Sequence, residues 1–161
     1  MSNQSEYKRL NFFPGFFTTA DDWNDGETYH LEKRKLHNRL LHSPGIMEGL
    51  KVVPKEDLTV VVEPGAALDG EGNLVVLSHD ESFPVELPDS LPAEVYLILE
   101  LVDKKTHWDE NLQDPDYSGF RRVAEVATVI QQNDEPSEGQ IALARIHLET
   151  ADSPIVGPDQ S

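Results

Sequence analysis

The chain has 161 residues, of which 30 are acidic and 13 basic, giving a formal net charge of −17, and it has no cysteine. This length predicts one domain, or one domain with an appendage, and the missing cysteine excludes disulfides, thiol catalysis and cysteine metal sites. The negative charge argues against nucleic acid as a partner because phosphates would be repelled. The sequence contains neither an apolar run long enough to span a membrane nor a secretory signal.

Residues 1–17 form an aromatic N-terminal arm. Four of the six phenylalanines lie around the turn signal Pro14-Gly15, and they are Phe12, Phe13, Phe16 and Phe17. So aromatic a patch is unfavourable in water. The arm therefore either folds back onto its own domain or inserts into a neighbouring subunit, and the sequence leaves both alternatives open.

Residues 18–45 form a basic helical segment. Thr19 and Asp22 have the spacing of a capping box, whereas Gly26 weakens the middle and leaves two short helices as an alternative. Residues 30–42 carry a net charge of +3, from Lys33, Arg34, Lys35 and Arg39 against Glu32, which leaves about −20 for the rest of the chain. Apolar side chains such as Trp23 and Leu40 alternate with these charges. We predict that the helix docks onto a partner.

Three histidines on this segment suggest a metal site. His30 and His37 are two helical turns apart, which is about 10 Å and too far for both to bind one ion directly. His42 follows five residues later. The spacing favours hydrogen bonding at an interface or at the helix end over metal binding.

Residues 46–150 are predicted to form a β-sandwich-like domain. Short β-branched runs alternate with proline and glycine turn signals, and the predicted strands are 50–53, 58–63, 66–68, 73–77, 83–87, 94–102, 123–131 and 141–148. A long polar loop is predicted at 103–120 and a loose C-terminal tail at 151–161. The fold class is therefore mainly β with an N-terminal helix, the body being an antiparallel β-sandwich or barrel-like.

The polar loop contains an EF-hand-like spacing of oxygen ligands, formed by Asp114, Asp116, Ser118 and Glu125. Arg121 occupies a position that is normally apolar, Pro115 stiffens the loop, and the residues after it read as strand. An acidic solvent-exposed loop is thus favoured over a calcium site. A calcium- or carbohydrate-binding module that uses residues 107–125 remains an alternative.

A glycan hydrolase is the second alternative. The carboxylates of Asp109, Glu110, Asp114 and Asp116 could supply an acid and a base, but such a site needs aromatic platforms, and only Trp108 and Tyr117 lie near in sequence. Nucleophile-elbow, phosphate-loop and zinc-helix motifs are missing from the sequence. The sequence thus predicts no enzyme activity and no cofactor.

Several segments resemble structural proteins of phage tails and contractile injection systems. The matching pattern includes Phe-Thr-Thr-Ala-x-Asp-Trp and Tyr-His-x-x-Lys-Arg-x-Leu-His-Asn-Arg-x-Leu-His, and it occupies residues 17–23, 29–42, 44–50, 62–72, 95–99 and 141–146. The resemblance covers most of residues 16–148. It implies a structural component at or near a baseplate or tail-fibre attachment.

The sequence and this resemblance together predict a non-enzymatic subunit of an oligomeric assembly. Its partners would be neighbouring tail, baseplate or fibre subunits, and the particle, a virion or an injection device, would be assembled in the bacterial cytoplasm. The predicted partner-binding residues are Phe12, Phe13, Phe16, Phe17, Trp23, Arg34, His37 and Arg39.

Overall fold

A computed structural model of the protein describes residues 7–56, 58–114, 116, 118–150, 155 and 159. It contains one helix followed by nine strands: α1 (Ala20–Leu41), β1 (Gly45–Gly49), β2 (Val52–Pro54), β3 (Thr59–Val62), β4 (Gly65–Leu68), β5 (Leu74–Leu77), β6 (Glu81–Pro84), β7 (Ala93–Asp109), β8 (Gly119–Gln132) and β9 (Gln140–Leu148). The prediction of a mainly β chain with an N-terminal helix is confirmed.

Helix α1 is continuous over 22 residues, and both of its ends are well defined. At the start, Thr19 Oγ1 accepts a hydrogen bond from Asp22 N at 3.3 Å, and Asp22 Oδ2 accepts one from Thr19 N at 2.8 Å. At the end, His42 N donates to Asn38 O at 2.9 Å, just before Pro44. Gly26 does not divide the helix, so the alternative of two short helices is wrong.

The strands form three antiparallel sheets of three strands each, in the orders β1-β4-β5, β2-β3-β6 and β8-β7-β9. Within the described part of the chain the strands do not close into a barrel. One core joins the sheets through alternating apolar side chains, since successive strand residues point to opposite faces. Its fully buried members include Leu50, Val60, Val62, Val75, Val95, Leu97, Leu99 and Leu143.

Strands β7 and β8 extend far beyond the body, where the sequence predicted a polar loop at 103–120. Their pairing continues to Asp109 opposite Gly119. The loop prediction is wrong at 103–109 and 119–120, half of its length, because cross-strand hydrogen bonding holds these residues extended without an apolar alternation. Strand β9 pairs with β7 only from Ala93 to Glu100, so the outer part of the β7–β8 hairpin is a two-stranded ribbon.

The C-terminal tail is attached to the body at both of its described residues, which differs from the loose tail that the sequence predicts. Ile155 is 5% exposed and belongs to the core. Asp159 pairs with Arg145 through two backbone hydrogen bonds of 2.8 and 3.0 Å and a side-chain contact of 2.7 Å. The hydrogen bond to Asp159, aided by the nearby Glu94, raises the pKa of Arg145.

Candidate functional site

The predicted aromatic residues form one surface at the N-terminal end of α1. The ring centroid of Phe12 lies 6.0 Å from that of Phe16 and 6.4 Å from that of Trp23, and Phe13 lies 5.3 Å from Phe16. The exposed fractions are 60% for Phe12, 60% for Phe13, 89% for Phe17 and 61% for Trp23. We call these five residues the aromatic surface. Only Phe16, at its centre, is half-buried.

The arm folds back along the first half of α1. A tight turn, closed by the hydrogen bond from Phe16 N to Phe13 O at 3.0 Å, reverses the chain before the helix. Leu10 then reaches Gly26, and Lys33 Nζ lies 3.9 Å from the centroid of the Tyr7 ring. The arm thus contacts its own helix and still leaves most of its aromatic area in water.

The second half of α1 is joined to the β body through the turn at 69–73. Asn38 Nδ2 donates to Gly72 O at 2.9 Å, and Arg39 Nη1 donates to Glu71 O at 3.1 Å. Asp69, which is 2% exposed, holds this turn by accepting two hydrogen bonds of 2.7 Å from Asn73. Arg39 therefore contacts its own domain, and this part of the predicted partner surface is partly occupied.

Helix α1 packs loosely on the body. None of its 22 residues is buried. A groove of about 300 Å³ runs between the helix and the β sheets, and Leu31, Lys35, Val76 and Leu101 lie along it. Arg34 crosses the groove to Glu125, with Nη2 and Oε1 3.8 Å apart, in an exposed and therefore weak ion pair.

The three histidines of the helical segment are not arranged to bind one metal ion. His37 and His42 rings are 6.1 Å apart, and His30 contacts the Tyr29 ring at 5.3 Å. Within the described residues, no group of three or more histidine, aspartate or glutamate side chains is placed to hold a metal ion. His37 is exposed on α1 beyond the aromatic surface.

The structure separates the residues of the EF-hand-like spacing. Asp114, Asp116 and Ser118 lie at the hairpin tip, where Ser118 Oγ accepts from Asn111 N at 2.9 Å and Asp114 Oδ1 accepts from Asp116 N at 3.3 Å. Glu125 lies within β8, seven residues further along an extended strand and thus roughly 20 Å from the tip. These four residues cannot surround one calcium ion. Pro115 lies outside the described residues.

The carboxylates proposed for glycan hydrolysis are spread over the exposed tip. Asp109 Oδ2 lies 3.6 Å from Arg121 Nη1, and both side chains are more than half exposed. Trp108 packs edge-on against Phe120, with ring centroids 4.9 Å apart, and Tyr117 lies outside the described residues. Glu110 is exposed as well. The structure brings no pair of these carboxylates together in a cleft among the residues it describes.

Sequence reasoning missed a second basic segment on the hairpin. Pairing of β7 with β8 sets Lys104 opposite Ala124 and Lys105 opposite Val123, so the two lysines lie diagonally across from Arg122 and Arg121, although 16 to 18 residues separate them in the chain. Trp108 packs against Phe120, which precedes Arg121 in β8. These four basic residues lie outside the strands predicted from sequence, so they could have signalled this only if the pairing of 103–109 with 119–125 had been recognised.

Comparisons with known proteins point to a fold. No family model matches the sequence, and no curated protein matches it. Among solved structures, a crystal structure of TssK superposes with a TM-score of 0.56 at 9% sequence identity. The match covers 96% of this chain and 41% of the TssK chain, so this chain spans less than half the length of that protein. At this identity the likeness shows a shared fold. Within the described residues, no helix is long and apolar enough to cross a membrane.

Proposed function

We propose that this protein is a structural, non-enzymatic component of a phage tail or contractile injection machine, placed at the baseplate or at a fibre attachment. It docks onto neighbouring subunits through the aromatic surface of its arm and helix, and the particle is assembled in the bacterial cytoplasm. The observation that carries the proposal is the aromatic surface itself, which remains more than half exposed at four of its five residues.

The energetics favour a covered surface. Fully burying a large apolar side chain contributes about 1.5–3 kcal/mol. Because Phe12, Phe13, Phe17 and Trp23 are partly covered already, covering their exposed area would contribute roughly 4–8 kcal/mol before ordering costs. The surface is also preorganised, because the turn at 13–16 fixes the arm, and Trp23 Nε1 donates to Thr18 Oγ1 at 3.2 Å. A preorganised aromatic patch loses little entropy on binding, as an interface requires.

The fold likeness supports the class of assembly. TssK is a baseplate component of type VI secretion, and this chain shares the fold of part of it. The motifs of residues 17–23 and 29–42, which resemble tail and injection-system proteins, lie in the arm and α1, where the aromatic surface is built. Fold and motif thus support the same kind of particle by separate routes.

The proposal is tested with a double variant, Phe13→Ala with Phe17→Ala, expressed in the native source. These two rings are exposed, so their removal should leave the fold intact while lowering the amount of this chain in sedimented high-molecular-weight particles at least tenfold. Mass spectrometry of the particles measures that amount against sheath and tube proteins. A matched control is Leu112→Ala, which removes an equally exposed apolar side chain, 86% exposed, from the hairpin tip. Wild-type incorporation of the double variant would rule out the aromatic surface as the anchor.

A further inference from the structure

Strand β8 (Gly119–Gln132) is an edge strand with a long free side. It pairs with β7 on one side, and no other strand of the described residues pairs with its outer side. In its outer half the side chains point into water: Phe120 is 53% exposed and Val123 is 60% exposed. An exposed row of unpaired backbone N–H and C=O groups is a template for pairing with another chain.

Proline and a β-bulge, two of the usual protections of an edge strand, are missing from β8, and its protection rests on the charges of Arg121, Arg122 and Glu125. The strand has 14 residues and no proline, and its pairing with β7 shows no shift of register that would bend it away. Beyond Glu100 the sheet contains only β7 and β8, and a two-stranded ribbon is marginally stable by itself. A third strand on the free side of β8 would complete the ribbon.

The sequence of β8 is complementary to itself when read antiparallel about Val123. Arg121 then faces Glu125 in both directions, Val123 faces Val123, and Phe120 faces Val126. Every facing pair joins opposite charges or two apolar groups, apart from Arg122 opposite Ala124. Opposite charges and apolar pairs directly across two strands are stabilising, whereas like charges are destabilising.

We propose that β8 pairs antiparallel with β8 of a second copy of this chain, with Val123 on the twofold axis. A twofold interface uses the same surface of both copies, so that surface must be complementary to itself. The β8 sequence meets this requirement in the register centred on Val123. Moving the axis to Arg122 or to Glu125 would instead set two identical charges opposite each other. The residues that pair here are only weakly engaged in one chain, since the contacts of Arg121 with Asp109 and of Glu125 with Arg34 measure 3.6 and 3.8 Å.

This contact is independent of the aromatic surface, which lies on the arm and the start of α1. A chain unable to dimerise through β8 could still enter a particle, and a chain without the aromatic surface could still dimerise. The two proposals can therefore fail separately.

A charge-swap cycle on the full chain tests the pairing. Sedimentation equilibrium over a concentration series should show the 18.1-kDa chain in equilibrium with a species of twice that mass. Arg121→Glu and Glu125→Arg each place like charges opposite one another at two symmetric positions, so each should weaken dimerisation about tenfold. The double variant Arg121→Glu with Glu125→Arg restores opposite charges and should return the dissociation constant to near the wild-type value.

Cysteine crosslinking tests the position of the axis. The natural chain has no cysteine, so Val123→Cys introduces a single thiol that faces its own symmetry mate. Mild oxidation should give a disulfide-linked dimer from Val123→Cys and far less from Val76→Cys, a valine on β5 that is 53% exposed. A chain that stays monomeric throughout the series, a dimer indifferent to Arg121→Glu, or equal crosslinking of the two cysteine variants would overturn the proposal.

Discussion

At the scale of single residues, two glycines at α1 differ in the space around them. One, Gly26, lies within the helix, and the other, Gly72, lies in the turn of the β body that contacts the helix. A Cβ added at Gly26, within the helix, would lie 3.5 Å from Leu10 Cδ1, which is an ordinary van der Waals contact. A Cβ added at Gly72, in the turn that contacts the helix, would clash with the backbone oxygen of Lys35. Gly72 also has φ +87°, a conformation that L side chains rarely adopt. The body thus approaches the helix closely only because Gly72 lacks a side chain.

The same substitution should therefore change stability in opposite directions at these two sites. Gly26→Ala should raise the free energy of unfolding by about 1 kcal/mol, because alanine favours the helix and the new methyl group meets no clash. Gly72→Ala should lower it by about 1–3 kcal/mol through backbone strain and should also loosen the second half of α1. Urea unfolding gives both energies, and hydrogen exchange of residues 35–41 reports the helix contact. Equal effects of the two substitutions would contradict this account of the joint.

Sequence motifs predicted a site correctly where the residues of the motif are close together in the chain. The capping box of Thr19 and Asp22 formed as predicted, since its members are three residues apart and need no tertiary contact. The EF-hand-like spacing failed because Glu125 was recruited into a strand, which carried it away from the tip. A motif of twelve residues is decided by the conformation of the chain between its ligands, and that conformation depends on pairing with β7.

At the scale of elements, α1 depends on its cap more than an ordinary surface helix does. A helix gains most of its stability in a protein from burying an apolar face, and none of the residues of α1 is buried. Hydrogen bonds from the backbone and hydroxyl of Thr19 lower the pKa of Asp22. The negative carboxylate also lies at the positive end of the helix dipole. The charge state of Asp22 should therefore influence the whole element.

This coupling predicts a pH dependence with a definite sign. Because the pKa of Asp22 is lower in the folded chain, its stabilising effect is complete above the ordinary carboxyl pKa and is lost as the pH falls through the folded pKa. Unfolding free energies of wild type and Asp22→Asn should thus differ at neutral pH and converge in acid. Asp21→Asn is the control, since it removes a charge from the same turn and leaves the capping box. Curves for Asp22→Asn that stay parallel to wild type would contradict the prediction.

Comparing α1 with the outer β7–β8 hairpin shows why the helix was predicted from sequence and the hairpin was not. Helix α1 follows from local signals, namely the capping box of Thr19 and Asp22 and the apolar side chains that alternate with its charges. The outer hairpin has no such signal. Neither of its faces is buried, so its sequence does not alternate between apolar and polar residues. Its strands exist through their mutual hydrogen bonds, which are contacts between segments distant in the chain. The second basic segment was hidden for the same reason.

At the scale of the whole molecule, most basic residues lie on two elements, although acids on the same elements offset their charge. Eight of the 13 basic residues lie on α1 or on the outer hairpin, and they are Lys33, Arg34, Lys35, Arg39, Lys104, Lys105, Arg121 and Arg122. The contact between Arg34 and Glu125 brings these two elements together across the groove. The sequence predicted the helical half of this arrangement, and the fold supplies the other half. Of the two proposed contacts, the β8 edge lies on the hairpin, and the aromatic surface lies on the arm and the start of α1.

The opposite end of the chain contributes to the core that holds these elements in place. Ile155 is buried among the side chains of the β sheets, although residues 151–161 read as a polar tail with two prolines. Asp159 continues this attachment by pairing with Arg145 on β9. A short apolar pair, Ile155-Val156, gives no periodic signal, so the burial of Ile155 could not be predicted from sequence.

Ile155→Ala should consequently destabilise the whole domain. Removing a buried isoleucine side chain leaves a cavity and costs about 2–5 kcal/mol, which urea unfolding would detect as a lower midpoint at an unchanged slope. Leu40→Ala is the matched control, since Leu40 is 72% exposed and its truncation should change stability by no more than about 0.5 kcal/mol. A variant at position 155 as stable as wild type would mean that the tail only rests on the body. A large loss confined to Ile155→Ala would mean that the core of the β body is completed by the last residues of the chain.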